Sequence, residues 1–177
     1  DSEKITVGTL DNVVYNGKKQ EQEPAVTTKD GKKTLVKGTD YTLSYSKDTK
    51  NVGEVTVTVT GQGNYSGKVQ IQYHITKAPL TVTTEGATRA YNGQPLTAPG
   101  TVTGFVEGEN AELQVTGKQT DVGSSPNTYK IVWTETTKAD NYQVSETVGT
   151  LTVTNQSIGD SEKITVGTLD NVVYNGK

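Results

Sequence analysis

The sequence predicts an all-β protein built of two tandem small modules, arranged end to end with little or no helix. Three observations carry this reading. First, the bulky apolar residues are largely replaced by Thr, Val and Tyr, which suit a pleated, half-buried surface. The chain has nine Tyr but one Phe, one Trp, and no Met or Cys. Second, apolar and polar residues alternate with a period of two, and no long stretch shows a helical period. Third, the chain repeats itself.

The repetition has two levels. The eighteen residues from Asp1 to Lys18 recur from Asp160 to Lys177, which reads as a piece cut from an array of identical units. Within a unit, "VVYNGKKQEQEPAV" from Val13 matches "RAYNGQPLTAPGTV" from Arg89. "KNVGEVTVTV" matches "TDVGSSPNTYKIVW", Asn64-Tyr65 matches Asn141-Tyr142, and "QYHIT" matches "TLTVT". The predicted modules are therefore residues 1–77 and 78–155. Residues 156–177 are read as a linker and the start of the next repeat.

The elements follow in order. Asp30-Gly31, between "AVTTK" and "KKTLV", predicts a hairpin turn. "TLSYS" after Tyr41 alternates as a strand. Residues 54–60 place Val55, Val57 and Val59 on one face and Thr on the other. Residues 69–76 place Val69, Ile71, Tyr73 and Ile75 inside and His74 outside. A short helical turn is expected near 105–113, and a strand ends at Trp133. "ITKAPLTV" joins the modules with almost no slack, because Pro79 fixes its own φ and restricts Ala78. A small, stiff, end-to-end contact is expected there. Residues 160–177 lack the rest of their module, so they should lie on a β-edge, or replace residues 1–18 of a neighbour by strand exchange.

Composition narrows the function. Net charge is −3 and no basic, aromatic-laced patch occurs, which argues against a nucleic-acid partner. No apolar run approaches the roughly 20 residues that cross a bilayer, so membrane insertion is not expected. Residues 1–77 carry eleven Lys against nine acids, whereas 78–159 carry three Lys and one Arg against eight acids. The charge of an array would alternate in sign.

The residues that could do chemistry are few. His74 is the only imidazole, and with no Cys there are no parts for a triad or a zinc site. "EQE" at 21–23 and "EGE" at 107–109 read as solvated edges or loops. Lys130 faces away from Tyr129, Ile131 and Trp133, which argues against a buried Lys–Asn cross-link. Tyr-Asn-Gly reads as a scaffold turn whose Tyr packs its ring and keeps its hydroxyl wet. No catalytic, cofactor-binding or metal residue is assigned, no cofactor is expected, and the chain does not read as an enzyme.

Residues 78–154 resemble an MBG ("mostly β-grasp") module. The resemblance rests on Tyr91-Asn92-Gly93, Gly117, Val122-Gly123, Asn141-Tyr142 and Leu151-Thr152-Val153. Residues 5–76, with "KKTLVKGTDYTLSYS" and "GQGNYSGKV", resemble a related β-rich repeat, β-grasp-like or immunoglobulin-like. Such modules occur in tandem in very large surface proteins of Gram-positive bacteria. The resemblance implies an extracellular, cell-wall-attached adhesin or stalk. Two functions fit that context. One is a structural spacer that projects an adhesive head, with adjacent identical repeats as its partners. The other is a weak binding repeat for a host surface protein or glycan, acting through avidity.

Overall fold

A computed structural model of the chain describes residues 5–46 and 48–159. The repeated tail, with the edge pairing or strand exchange expected of it, lies outside the described residues. Among those residues fourteen strands follow in chain order. They are β1 (Ile5–Val7), β2 (Val13–Val14), β3 (Val26–Thr28), β4 (Tyr41–Tyr45), β5 (Gly53–Gly61), β6 (Lys68–Thr76), β7 (Ala78–Thr84), β8 (Ala87–Ala90), β9 (Gly100–Thr103), β10 (Ala111–Val115), β11 (Gly123–Pro126), β12 (Tyr129–Trp133), β13 (Tyr142–Thr147) and β14 (Thr150–Thr154). The protein is all-β. Its one described helical element is a 3-10 turn at Ala139–Asn141. The turn expected within 105–113 is a simple reversal at Glu107-Gly108, because Ala111 onward is drawn into β10.

Period-two alternation does what the pattern requires. Val55, Val57 and Val59 of β5 are buried while Thr56, Thr58 and Thr60 are partly exposed. On β6, Tyr73 and Ile75 are buried, Ile71 is half-buried, and Val69 is exposed, contrary to the expectation for that residue. The reason lies in the pairing. β2 covers β6 only at Ile75 and Thr76, so the first half of β6 runs along a sheet edge. The Asp30-Gly31 turn forms as expected, with the Gly31 N–H on Thr28 O at 2.8 Å. Its returning side makes only a single bridge, Thr27 to Thr34.

The chain forms two compact units. One comprises the described residues through Thr83, with 100–114 and 130–147. The other comprises 84–99, 115–129 and the described residues from 148 on. These units cut across the 1–77 and 78–155 division.

In the first unit β2, β6, β5 and β4 form one sheet in that order, and β13, β7 and β9 form another. β13 runs parallel to β7, from Tyr142 beside Ala78 to Thr147 beside Thr83. Only Lys77 separates β6 from β7. The main core runs through that point. Val55, Val57, Tyr73 and Ile75 from one side pack with Ala78, Leu80 and Tyr142 from the other, and Tyr15 joins them. A second cluster gathers Val26, Leu35, Tyr41 and Val59.

In the second unit the sheet order is β11, β14, β8, over a small core of Leu96, Leu151 and Val153. Fully buried Asn127 ties loops together there. Its Nδ2 donates to Glu85 O at 2.9 Å and to Ala98 O at 3.0 Å.

The two halves read from the sequence share one pairing scheme. β2 lies parallel to β6, which lies antiparallel to β5, so Val13, Ile75 and Gly53 stand abreast. β8, β14 and β11 repeat this with Arg89, Val153 and Gly123 abreast. The Tyr15 N–H donates to Thr76 O, and the Tyr91 N–H to Thr154 O, each at 2.8 Å. What is one long strand in the first half is two in the second. β5 corresponds to β11 and β12, and β6 to β13 and β14.

The second break centres on Gly149. Its N–H donates to Thr84 Oγ1 at 3.0 Å, and its carbonyl accepts the Asn127 N–H at 2.8 Å. A Cβ there would lie 2.2 Å from the Glu85 carbonyl carbon. Gly149→Ala is therefore expected to cost about 2–3 kcal/mol by overpacking. The check is native-state hydrogen exchange, with protection falling first at the β14 amides.

Candidate functional site

Among the described residues a side-chain assembly in the first unit joins residues from both sides of Lys77. Tyr15 leaves β2 and enters a tight turn. Asn16 Oδ1 accepts the Lys18 N–H at 2.9 Å, and Gly17 adopts φ +77°. A Cβ on Gly17 would sit 3.0 Å from Val106 Cγ2. Glycine is thus needed both for the left-handed backbone and for the close approach.

Tyr142 opens β13 directly after the 3-10 turn. Its ring is surrounded by aromatic neighbours. Tyr15 meets it edge-on at 5.8 Å, Phe105 edge-on at 5.4 Å, and Trp133 stacks on it at 5.9 Å. Phe105 and Trp133 are the chain's only Phe and only Trp. Offset and edge-to-face pairs of this kind add roughly 0.5–1.5 kcal/mol each beyond the area they bury.

Glu109 closes the assembly. Both buried phenols donate to its carboxylate, Tyr15 to Oε1 and Tyr142 to Oε2, the latter at 2.7 Å. The Tyr142 hydroxyl also accepts the Val106 N–H at 3.2 Å. Burial, and after it the Glu109 carboxylate, raises the Tyr15 phenol well above its ordinary range. The same causes push Tyr142 up to about 12. At the rim, Lys18 Nζ lies 3.4 Å from Glu107 Oε2. That pair is well exposed and contributes little.

A second, polar arm runs from Asp48 to Val52. The Asp48 carboxylate accepts the Lys50 and Asn51 N–H groups at 2.9 Å each, and Asn51 Nδ2 at 2.8 Å. The Asn51 hydrogen bonds, followed by the Lys50 N–H, hold Asp48 down at about 2. Asn51 Oδ1 in turn accepts Asn141 Nδ2 at 3.0 Å. Asn141, 2 % exposed, accepts the Val52 N–H at 3.0 Å. The assembly contains two carboxylates and two phenols, and both phenols are hydrogen-bonded to Glu109. What it can do is lock the end of β2, the β5 entry, the loop before β10 and the start of β13 into one geometry.

The residues singled out from sequence fall as follows. His74 is half-exposed on β6, opposite Glu54, with Nε2 3.7 Å from Glu54 Oε2. Lys130 is exposed. In "EQE", Glu23 pairs with Lys37, and Glu21 accepts the Thr49 hydroxyl at 3.3 Å. Two readings need correction. "EGE" is not simply a solvated loop, because Glu109 turns inward to take both phenols. The Tyr15 hydroxyl is not wet, because it is spent on that carboxylate. Tyr91, in the matching turn, does keep an exposed ring at 40 %. Among the described residues no group of three or more His, Cys, Asp or Glu side chains is placed to hold a metal ion.

Two outcomes follow. Glu109→Ala strips two buried hydroxyls of a charged acceptor and is expected to cost about 2 kcal/mol, read by urea unfolding. Tyrosine ionisation followed by absorbance should then lose its highest-pH phase. The pH dependence has two limbs. A phenol raised in the folded state stabilises fully below its unfolded value of 10.0, and that stability is lost as pH rises from 10 through about 12. A depressed carboxylate stabilises above its unfolded value of 3.8 and loses this as pH falls to about 2. Asp48 is exposed, so its share is under about 1 kcal/mol. Asp48→Asn should flatten the acid limb between those values without changing the alkaline one.

Comparison with known proteins places part of the chain in a family. No curated protein matches it. The model of the MBG domain (YGX type) matches residues 80–152. That span opens within β7, contains the Tyr91-Asn92-Gly93 turn, Phe105, Glu109, Trp133 and Tyr142, and closes within β14. Residues 80–152 thus form an MBG domain of the YGX type.

Proposed function

We propose that this chain is a spacer repeat of a large bacterial surface protein, holding an adhesive head away from the cell wall. The observation that supports this most is the core passing through Lys77. A boundary with a one-residue connection, a buried Ala78 and a carboxylate gripping two tyrosines has no freedom to act as a hinge. Interfaces between domains in one chain otherwise tend to permit motion. A spacer transmits position and force along its length, and a joint closed by apolar packing is insensitive to salt in a way that exposed ion pairs are not.

The avidity reading makes a different demand. There each repeat needs its own adhesive patch, and copy number multiplies a weak affinity. Small-angle scattering on chains of one, two and four repeats separates the two readings. The spacer reading expects the maximum dimension to grow in proportion to copy number, with no binding to host matrix proteins or glycans at any length. Binding that rises steeply with copy number, or a dimension that levels off, would overturn it.

A further inference from the structure

The Tyr15 joint has an unfilled counterpart. The Tyr91-Asn92-Gly93 turn repeats the first turn closely. Gly93 adopts φ +75°, and Asn92 Oδ1 accepts the Gln94 N–H at 3.0 Å. Asp121-Val122-Gly123 stands where Asn51-Val52-Gly53 stands, and Gly123 lies abreast of Val153 as Gly53 lies abreast of Ile75. These are the two elements that the first half contributes to the joint.

The receiving elements are duplicated too. Val-Lys-Gly-Thr-Asp at 36–40 matches Val-Glu-Gly-Glu-Asn at 106–110. Thr39 N–H donates to Val36 O at 3.2 Å, as Glu109 N–H does to Val106 O at 3.1 Å. Asn64-Tyr65 matches Asn141-Tyr142. The Tyr65 N–H returns to Gln62 O, as the Tyr142 N–H returns to Ala139 O.

Exposure differs at four of the matched positions. Tyr15 is 3 % exposed but Tyr91 is 40 % exposed. Asn141 is buried but Asn64 is exposed. Val52 and Val106 pack against the main core, whereas Val122 and Val36 are 52 % and 57 % exposed. Four exposed residues thus correspond to four that the first joint covers.

We propose that the same joint closes between consecutive repeats, with the Tyr91 turn and Val122 of one copy seated on Val36, Thr39 and Asn64 of the next. This rests on the array reading of the repeated eighteen residues and deepens the spacer proposal. The occupant is a second copy of this chain, because the exposed copy of the receiving pattern lies in its first half and the sequence resumes that half at Asp160. Asn64 of the next copy takes the Val122 N–H, as Asn141 takes that of Val52. Thr39 stands in the place of Glu109, so a neutral hydroxyl replaces the carboxylate as partner for the Tyr91 phenol. Gln94 and Lys37 stand where Lys18 and Glu107 pair. This second joint has the same geometry and a weaker grip, since a neutral acceptor forms a weaker hydrogen bond than a charged one.

The test compares the 177-residue chain, which ends before the next copy's Val36 and Asn64, with two copies of residues 1–159 in series. Amide exchange is read by NMR at Val122. In the first copy of the tandem chain, Val122 should exchange about tenfold or more slowly than in the 177-residue chain. Asn64→Ala in the second copy should restore fast exchange, and the same change in the 177-residue chain should leave its melting unaltered. Equal exchange in both chains, or protection that survives Asn64→Ala, overturns the joint. Scattering distinguishes the two proposals. An array that still lengthens in proportion to copy number while Val122 stays unprotected leaves the spacer standing and removes only this joint.

Discussion

The first unit depends on burying Tyr142 and satisfying its hydroxyl. A phenol withdrawn from water must find a partner or lose on the order of 1–3 kcal/mol. Glu109 meets this need for Tyr142 and for Tyr15 together. Because Tyr15 and Tyr142 are 127 residues apart, one carboxylate closes a long loop. The aromatic ring around Tyr142 then fixes Phe105 and Trp133. The turn at Gly17 can reach Val106 only because the Tyr15 backbone is already fastened to Thr76. The polar arm through Asn51 and Asn141 sets the β5 entry. If Glu109 is removed, each of these contacts has to find another support.

The thin composition explains why so much rests on one place. Leaving Tyr aside, the chain has only two aromatic residues, and both are used here. Elsewhere the cores are mostly Val and Leu, with Tyr41 in the second cluster, which suffices for strands but supplies little specific geometry. The second unit shows the contrast. Its core is three aliphatic side chains, and its loops are held by Asn127 and by the close approach of Gly149 to Glu85. Backbone contact does there what aromatic packing does in the first unit.

Much of this was legible in the sequence. The alternation of Val55, Val57 and Val59 set the buried face of β5, since a period of two leaves no other arrangement. The matched Tyr-Asn-Gly and Val-Gly positions marked two related halves, and the structure gives those halves matching registers. Val69 was misplaced because alternation identifies a face but does not say whether a neighbouring strand covers it. The joint was not legible for a different reason. Glu107 and Glu109 flank a glycine in a polar stretch, which locally is what a solvated loop looks like. Nothing near Glu109 in the sequence points to Tyr15. The available signal was the clustering of Phe105, Glu109, Trp133 and Tyr142 within one half of the chain. It showed where a specific contact would be built, but not with what.

The central claim is that no hinge exists at Lys77, because one core spans it. Native-state hydrogen exchange in low denaturant tests this most directly, comparing the amides of Tyr73 and Ile75 on β6 with those of Leu80 and Val82 on β7. If the core is shared, all four open in one cooperative step with the same free energy and denaturant slope. If β6 opens at a lower denaturant concentration than β7, or with its own slope, the two sides are separate folding units and the joint is only a contact between them.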